Sequence, residues 1–172
     1  SEVYDHVYPN TKRKTKRKRF YGKNLSLPIS GLLPDMTVSF QKNSFLVPGD
    51  NIIGITLPGK GITIYHAQDE KLHDYENNPE RWLRLNWEKE IDVTFTARIM
   101  LSIINEVGSL GVISAAIADY GGNISNLILT EKDNDFFNLR IDIDVDDKKH
   151  IENIIKSLNG LPEISSVERV IH

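Results

Sequence analysis

Apolar residues alternate most clearly in the second half of the chain. Phe95, Ala97, Ile99, Leu101 and Ile103 fall at every second position, the period of a strand with one buried face. The loop Asn105-Glu106-Val107-Gly108 then gives way to a longer period. Leu110, Ile113, Ile117 and Tyr120 share one stripe of a helix over 109–120, and Gly121 suits the position just past its end. A second strand runs from Asn123 to Thr130, and Asp133-Asn134-Asp135 turns the chain into a third through Leu139, Ile141, Ile143 and Val145. Ile151, Ile154, Ile155 and Leu158 then follow helical spacing, with Asp146 or Asp147 as the cap. Gly160 and Pro162 stop that helix, and 164–170 is the last strand. The order β-α-β-β-α-β predicts a ferredoxin-like α+β domain over 91–172. Both helices lie on one face, so the other face and the sheet edges are expected to be left for a partner.

The preceding stretch, 25–90, reads as a small β-rich module. Leu25 to Gly31 is extended, Leu33-Pro34 ends it, and Thr37 to Phe40 is a short strand. Val47-Pro48-Gly49-Asp50 is turn chemistry, and two alternating runs around Pro58-Gly59-Lys60-Gly61 form a hairpin. Asn78 and Pro79 open a short helix with Trp82 and Leu83 on its apolar side, and Trp87 sits in a closing strand. On its own this module has a thin core. Residues 1–24 form a third unit, whose run Thr11–Arg19 packs like charges with no apolar period and is expected to be a disordered basic arm.

Composition narrows the function. The chain of 172 residues has no cysteine, which excludes disulfides, zinc–thiolate sites and cysteine nucleophiles and makes a cytoplasmic location the expectation. Nothing approaches a membrane-spanning apolar run of about 18 residues, and the start has no signal-peptide core. It begins with Ser1 rather than Met and is expected to be a piece of something longer. Residues 1–22 hold seven Lys/Arg against Glu2 and Asp5, a net of +5. The remainder holds 14 basic against 22 acidic residues, a net of -8.

Most candidate chemistry dissolves on inspection. His73-Asp74 lacks the further ligands a phosphohydrolase metal needs. Asp142 and Asp144 alternate with Ile141 and Ile143 and are expected on the solvent side, while Asp146 and Asp147 are helix caps. Lys60 sits in a hairpin turn and not in the strand–loop–helix of a phosphate loop. Ser44, Ser109 and Ser114 have no histidine at a telling position.

The Asn105–Leu110 loop is different. Gly108 permits close approach of a ligand, and the first amides of the following helix suit a carboxylate. Asn123 and Asn126 offer side-chain amides from the next strand, so a small zwitterion could be held at a sheet edge. The bland alternative, that these glycines serve turn geometry alone, stays open.

Three blocks, Asn105-Glu106-Val107-Gly108-Ser109-Leu110, Gly122-Asn123-Ile124-Ser125-Asn126-Leu127 and Ser166-Val167-Glu168-Arg169-Val170, resemble an ACT domain. The run from Pro48-Gly49-Asp50 through Gly59-Lys60-Gly61 to Pro79-Glu80-Arg81-Trp82-Leu83 is similar to the segment before that domain in long RelA/SpoT-type enzymes, which make and hydrolyse (p)ppGpp. The resemblance spans about 25–172. It implies a regulatory region with no catalytic residues of its own and no cofactor. It implies a branched-chain amino acid held by Asn105, Gly108, Ser109, Leu110, Asn123, Ile124 and Asn126, and a homodimer through ACT domains. Ribosome or tRNA contact, or a separate catalytic chain, is the further partner implied, with no membrane. An RNA- or ribosome-binding module without a small ligand, served by the basic arm, is the alternative. The family's zinc-finger-like module places Cys-Cys-His and a further Cys where Asn43, Ser44, Phe45 and Asp69 stand here, so no structural metal is expected.

Overall fold

The computed structural model describes residues 18–20, 27–33 and 35–171. The basic run up to Arg17, the start of the expected extended stretch at Leu25, and Pro34 lie outside the described residues.

The C-terminal sheet is built on β8, Val93–Ile104, flanked by β10, Phe136–Val145, and then by β9, Asn123–Lys132, with β11, Ile164–Val170, on its other side. All these pairings are antiparallel. Helices α1, Ser109–Asp119, and α2, Lys148–Asn159, cover one face. The alternation reads directly into packing. Phe95, Ala97, Ile99, Leu101 and Ile103 are all buried against Ile113, Ile117, Ile151, Ile154 and Leu158. Gly121 turns to φ +77°, its amide donating to Ala118 O while Gly122 N donates to Ile117 O, a Schellman closure of α1. Asp147 caps α2 by accepting from His150 N at 2.8 Å. This is the expected α+β arrangement, with α1 one residue shorter than predicted.

The smaller module joins β3, Val38–Phe40, β5, Gly61–His66, β4, Ile52–Leu57, and β6, Trp82–Arg84, in that order, beside a ribbon of β2, Ile29–Ser30, and β7, Asn86–Trp87. The hairpin β4–β5 is as read. The expected helix at Asn78–Leu83 is corrected. Only Pro79–Arg81 makes a 3-10 turn, and Trp82–Leu83 belong to β6, paired with β4 at Ile55 and Gly54. Pairing to a distant strand supplies what a three-residue run cannot announce. Asn78 caps nothing; its amide donates to Glu80.

The two modules are seamed together. Phe20, Phe40, Trp87 and Phe95 close a ring of aromatic contacts with centroid separations of 5.3–6.2 Å. Arg169 donates to both oxygens of buried Asp50 at 2.7 and 2.6 Å and to Phe45 O, and Asp50 also accepts from Val47 N. Lys148 N donates to Pro48 O, and Trp87 Nε1 to Asp50 O.

Two further expectations fall at this seam. Lys18–Arg19, the end of the basic run, form β1, a strand parallel to β8. Phe20 N donates to Thr94 O. Those two residues are therefore ordered rather than part of a free arm. Asp142 is buried, not wet, and Asp144 is largely covered. The alternation placed them on the face away from the helices, but the smaller module covers that end of it.

Candidate functional site

The face opposite the helices carries a charged seam. Cross-strand register sets Arg98 against Asp142, and the guanidinium donates to both carboxylate oxygens at 2.7 and 3.0 Å. The Phe45 ring lies 4.0 Å from the guanidinium carbon and shields the pair. Hydrogen bonding to Asp142 holds the Arg98 pKa above its ordinary value. Next along the seam, Asp144 Oδ2 takes two donors, Arg19 Nη2 at 2.5 Å and Asn123 Nδ2 at 3.0 Å.

The residues singled out for amino-acid binding do not converge within one chain. Asn105 follows the C-terminal end of β8, where its side-chain amide donates to Asp133 O and Asn134 O and its backbone N–H to Asp135 O. It anchors the β9–β10 turn. Gly108 has φ +88° and nothing within 4 Å of where a Cβ would stand, so the loop is open there. Leu110 is exposed, but Ser109 is buried. Asn123 pairs with Asp144, which pairs with Thr96 near the other end of β8. Nine residues at about 3.3 Å each separate that level from Asn105, roughly 30 Å. Asn123 and Asn126 also share the face of Asp144 and Asp142, away from α1. Ile124 packs toward the helix core. Within one chain the seven residues therefore fall into two groups at opposite ends of the sheet.

The positions where the resemblance puts zinc ligands do not fit a metal. Ser44 Oγ donates to Gln41 O, Phe45 covers Arg98, Asn43 takes φ +61°, and Asp69 caps a 3-10 turn by accepting from Lys71 N. Among the described residues no three His, Asp or Glu side chains gather as a metal site would require, and no helix is long and apolar enough to cross a membrane. His73 binds Glu76, and the exposed pair lifts the His73 pKa through that hydrogen bond.

Residues 92–169, which hold the βαββαβ strands, the helices on one face and the glycine-opened loop after β8, match the family model described as "ACT domain". Residues 27–88 match "RelA/SpoT RIS domain". With the two in series the chain belongs to the RelA/SpoT family, as its regulatory RIS–ACT region. It is 42% identical over 147 residues to "GTP pyrophosphokinase rsh" of Brucella ovis, 84% of this chain and 20% of that protein. It is 32% identical over 143 residues to "Bifunctional (p)ppGpp synthase/hydrolase SpoT" of Escherichia coli, 83% of this chain and 20% of that protein. The chain thus spans about a fifth of the length of these relatives. The crystallised ACT domain of a GTP pyrophosphokinase from Chlorobium tepidum aligns with 45% of this chain and all of its own length, at a TM-score of 0.40 and 22% identity.

Proposed function

We propose that this RIS–ACT region regulates (p)ppGpp synthesis or hydrolysis by a RelA/SpoT-type enzyme, and that its ACT domain senses a branched-chain amino acid as a two-fold pair. Catalysis belongs to other parts of such an enzyme, in the same chain or a separate one. The observation that carries the reading is the outer edge of β9. Among the described residues that strand is paired only with β10, and it exposes Leu127, Ile128 and Leu129. Helix α1 beside it carries no charge from Ser109 to Ala118 and exposes Leu110 and Val112. An apolar, uncharged edge with free backbone groups suits a second copy of itself.

Antiparallel pairing of β9 with β9 of a second copy, centred on Leu127–Ile128, sets that copy's Asn123 beside Lys132 and its Asn126 beside Leu129. Lys132 adjoins Asp133, whose carbonyl accepts from the Asn105 side chain at the start of the Gly108 loop. The Asn123 of one copy is thereby brought to the Gly108-loop end of the other.

Calorimetric titration of the full chain with the common amino acids tests this. Valine or isoleucine should bind saturably, one per copy, and at a hundredfold excess over Kd should stabilise the fold by about 2.7 kcal/mol. Gly108→Val, strained at φ +88° and filling the opening, should abolish the heat. A flat titration with every amino acid sinks the sensing reading.

A further inference from the structure

We propose that Asp144 is a relay that ties the candidate ligand residue Asn123 to the docking of β1, so that engaging the Asn123 amide loosens the segment through which the chain enters the ACT sheet. This deepens the sensing reading, and rests on it only in taking Asn123 as a ligand contact.

Strand β8 is longer than its partner β11, which pairs with it only from Arg98 to Ile103. The vacant position beside Val93 and Thr94 is filled by Lys18 and Arg19. Two residues of parallel pairing hold little by themselves, because parallel ladders are slanted and an isolated short strand is marginal. Side chains must do the rest. Phe20 stacks on Phe95 at 5.3 Å, and Arg19 crosses the strand to Asp144. The Asp144 side chain is 11% exposed, so its bonds are made in a setting where water competes weakly.

The same oxygen, Oδ2, accepts from both Arg19 and Asn123. Asn123 therefore fixes the carboxylate orientation that Arg19 needs. Asn123 begins β9, the edge strand of the proposed pair, and a bound zwitterion that takes its amide releases one of the two restraints on Asp144. The carboxylate then turns, the ion pair lengthens, and β1 frays. The charge-assisted bond to Arg19 is the stronger of the two and the neutral one from Asn123 the weaker, so the relay is graded rather than all-or-none.

Amide hydrogen exchange of the full, ligand-free chain decides the matter, followed at the Phe20 N–H that donates to Thr94 O. Arg19→Gln and Asp144→Asn should each speed exchange at Phe20 about tenfold, and Asn123→Ala about threefold, with the core amides of Ile99 and Ile141 unchanged. In the Arg19→Gln background, Asn123→Ala should add nothing at Phe20. Equal Phe20 rates in the parent chain and Asn123→Ala overturn the relay, as does full additivity of the two substitutions. Because no ligand enters the measurement, its failure is separate from failure of the titration described above.

Discussion

At the scale of single residues, the most buried ion pair among the described residues is Arg169–Asp50. The Asp50 side chain is 1% exposed and that of Arg169 11% exposed, and each is bonded to the other and to a backbone group. A buried ion pair contributes little against an apolar replacement of both partners, yet removing one partner strands the other charge. Arg169→Met should cost about 3–5 kcal/mol in denaturant unfolding. A loss below about 1 kcal/mol would mean that water reaches Asp50. Tyr65 offers a pH test. Burial pushes its hydroxyl pKa up to about 12 from 10.0, with neighbouring Tyr75 adding to the rise. The folded state then holds a proton that the unfolded chain gives up above pH 10, so stability should fall as pH rises from 10 toward 12. Tyr65→Phe should flatten that slope, read from chemical denaturation across the range. The sequence marked Arg169 only as part of a resemblance block and Tyr65 not at all, because periodicity gives a side chain's face and not its partner.

At the scale of elements, the β-α-β-β-α-β order was legible because each strand or helix of 91–172 is long enough to show its period. The ends of β10 and α2 follow from the Asp-rich turn and the Asp147 cap. Short elements were not legible. Trp82–Arg84 is too brief to alternate and follows Pro79, which reads as a helix start; only β4, nearly thirty residues upstream, makes it a strand. Lys18–Arg19 were hidden inside a run of like charge, and their strand exists only because β8 outruns β11. The proposed β9 pairing makes its own prediction here. Leu129→Lys places a charge on the exposed edge, and sedimentation should show a monomer where the parent chain dimerises. An unchanged dimer would move the interface elsewhere.

At the scale of the whole molecule, the sequence suggested a thin-cored module beside a self-sufficient one. The seam changes that picture. Val47 is buried in the core of the ACT domain, Trp87 packs against both cores, and Asp50 reaches Arg169 across the boundary. The two should therefore unfold in one calorimetric transition, with matching calorimetric and van't Hoff enthalpies. Two resolved transitions would show that the seam is weaker than its contacts suggest. The open sheet face expected opposite the helices is narrowed at this scale as well, while β9 stays exposed. Alternation fixed which face Asp142 and Asp144 occupy, but the cover over that face comes from Phe45 and Arg19, far away in sequence. The residues expected to hold a ligand stand apart for the same reason, since strand length puts roughly thirty ångströms between Asn105 and the level of Asn123.

The aromatic ring at the boundary also makes the protein its own gauge. The chain has two indoles, and Trp82 stands at the surface of the smaller sheet while Trp87 packs between Phe40 and Phe95. With Trp82 replaced by Phe, the light emitted by the remaining indole would redden as soon as those rings part, well before either hydrophobic core dissolves.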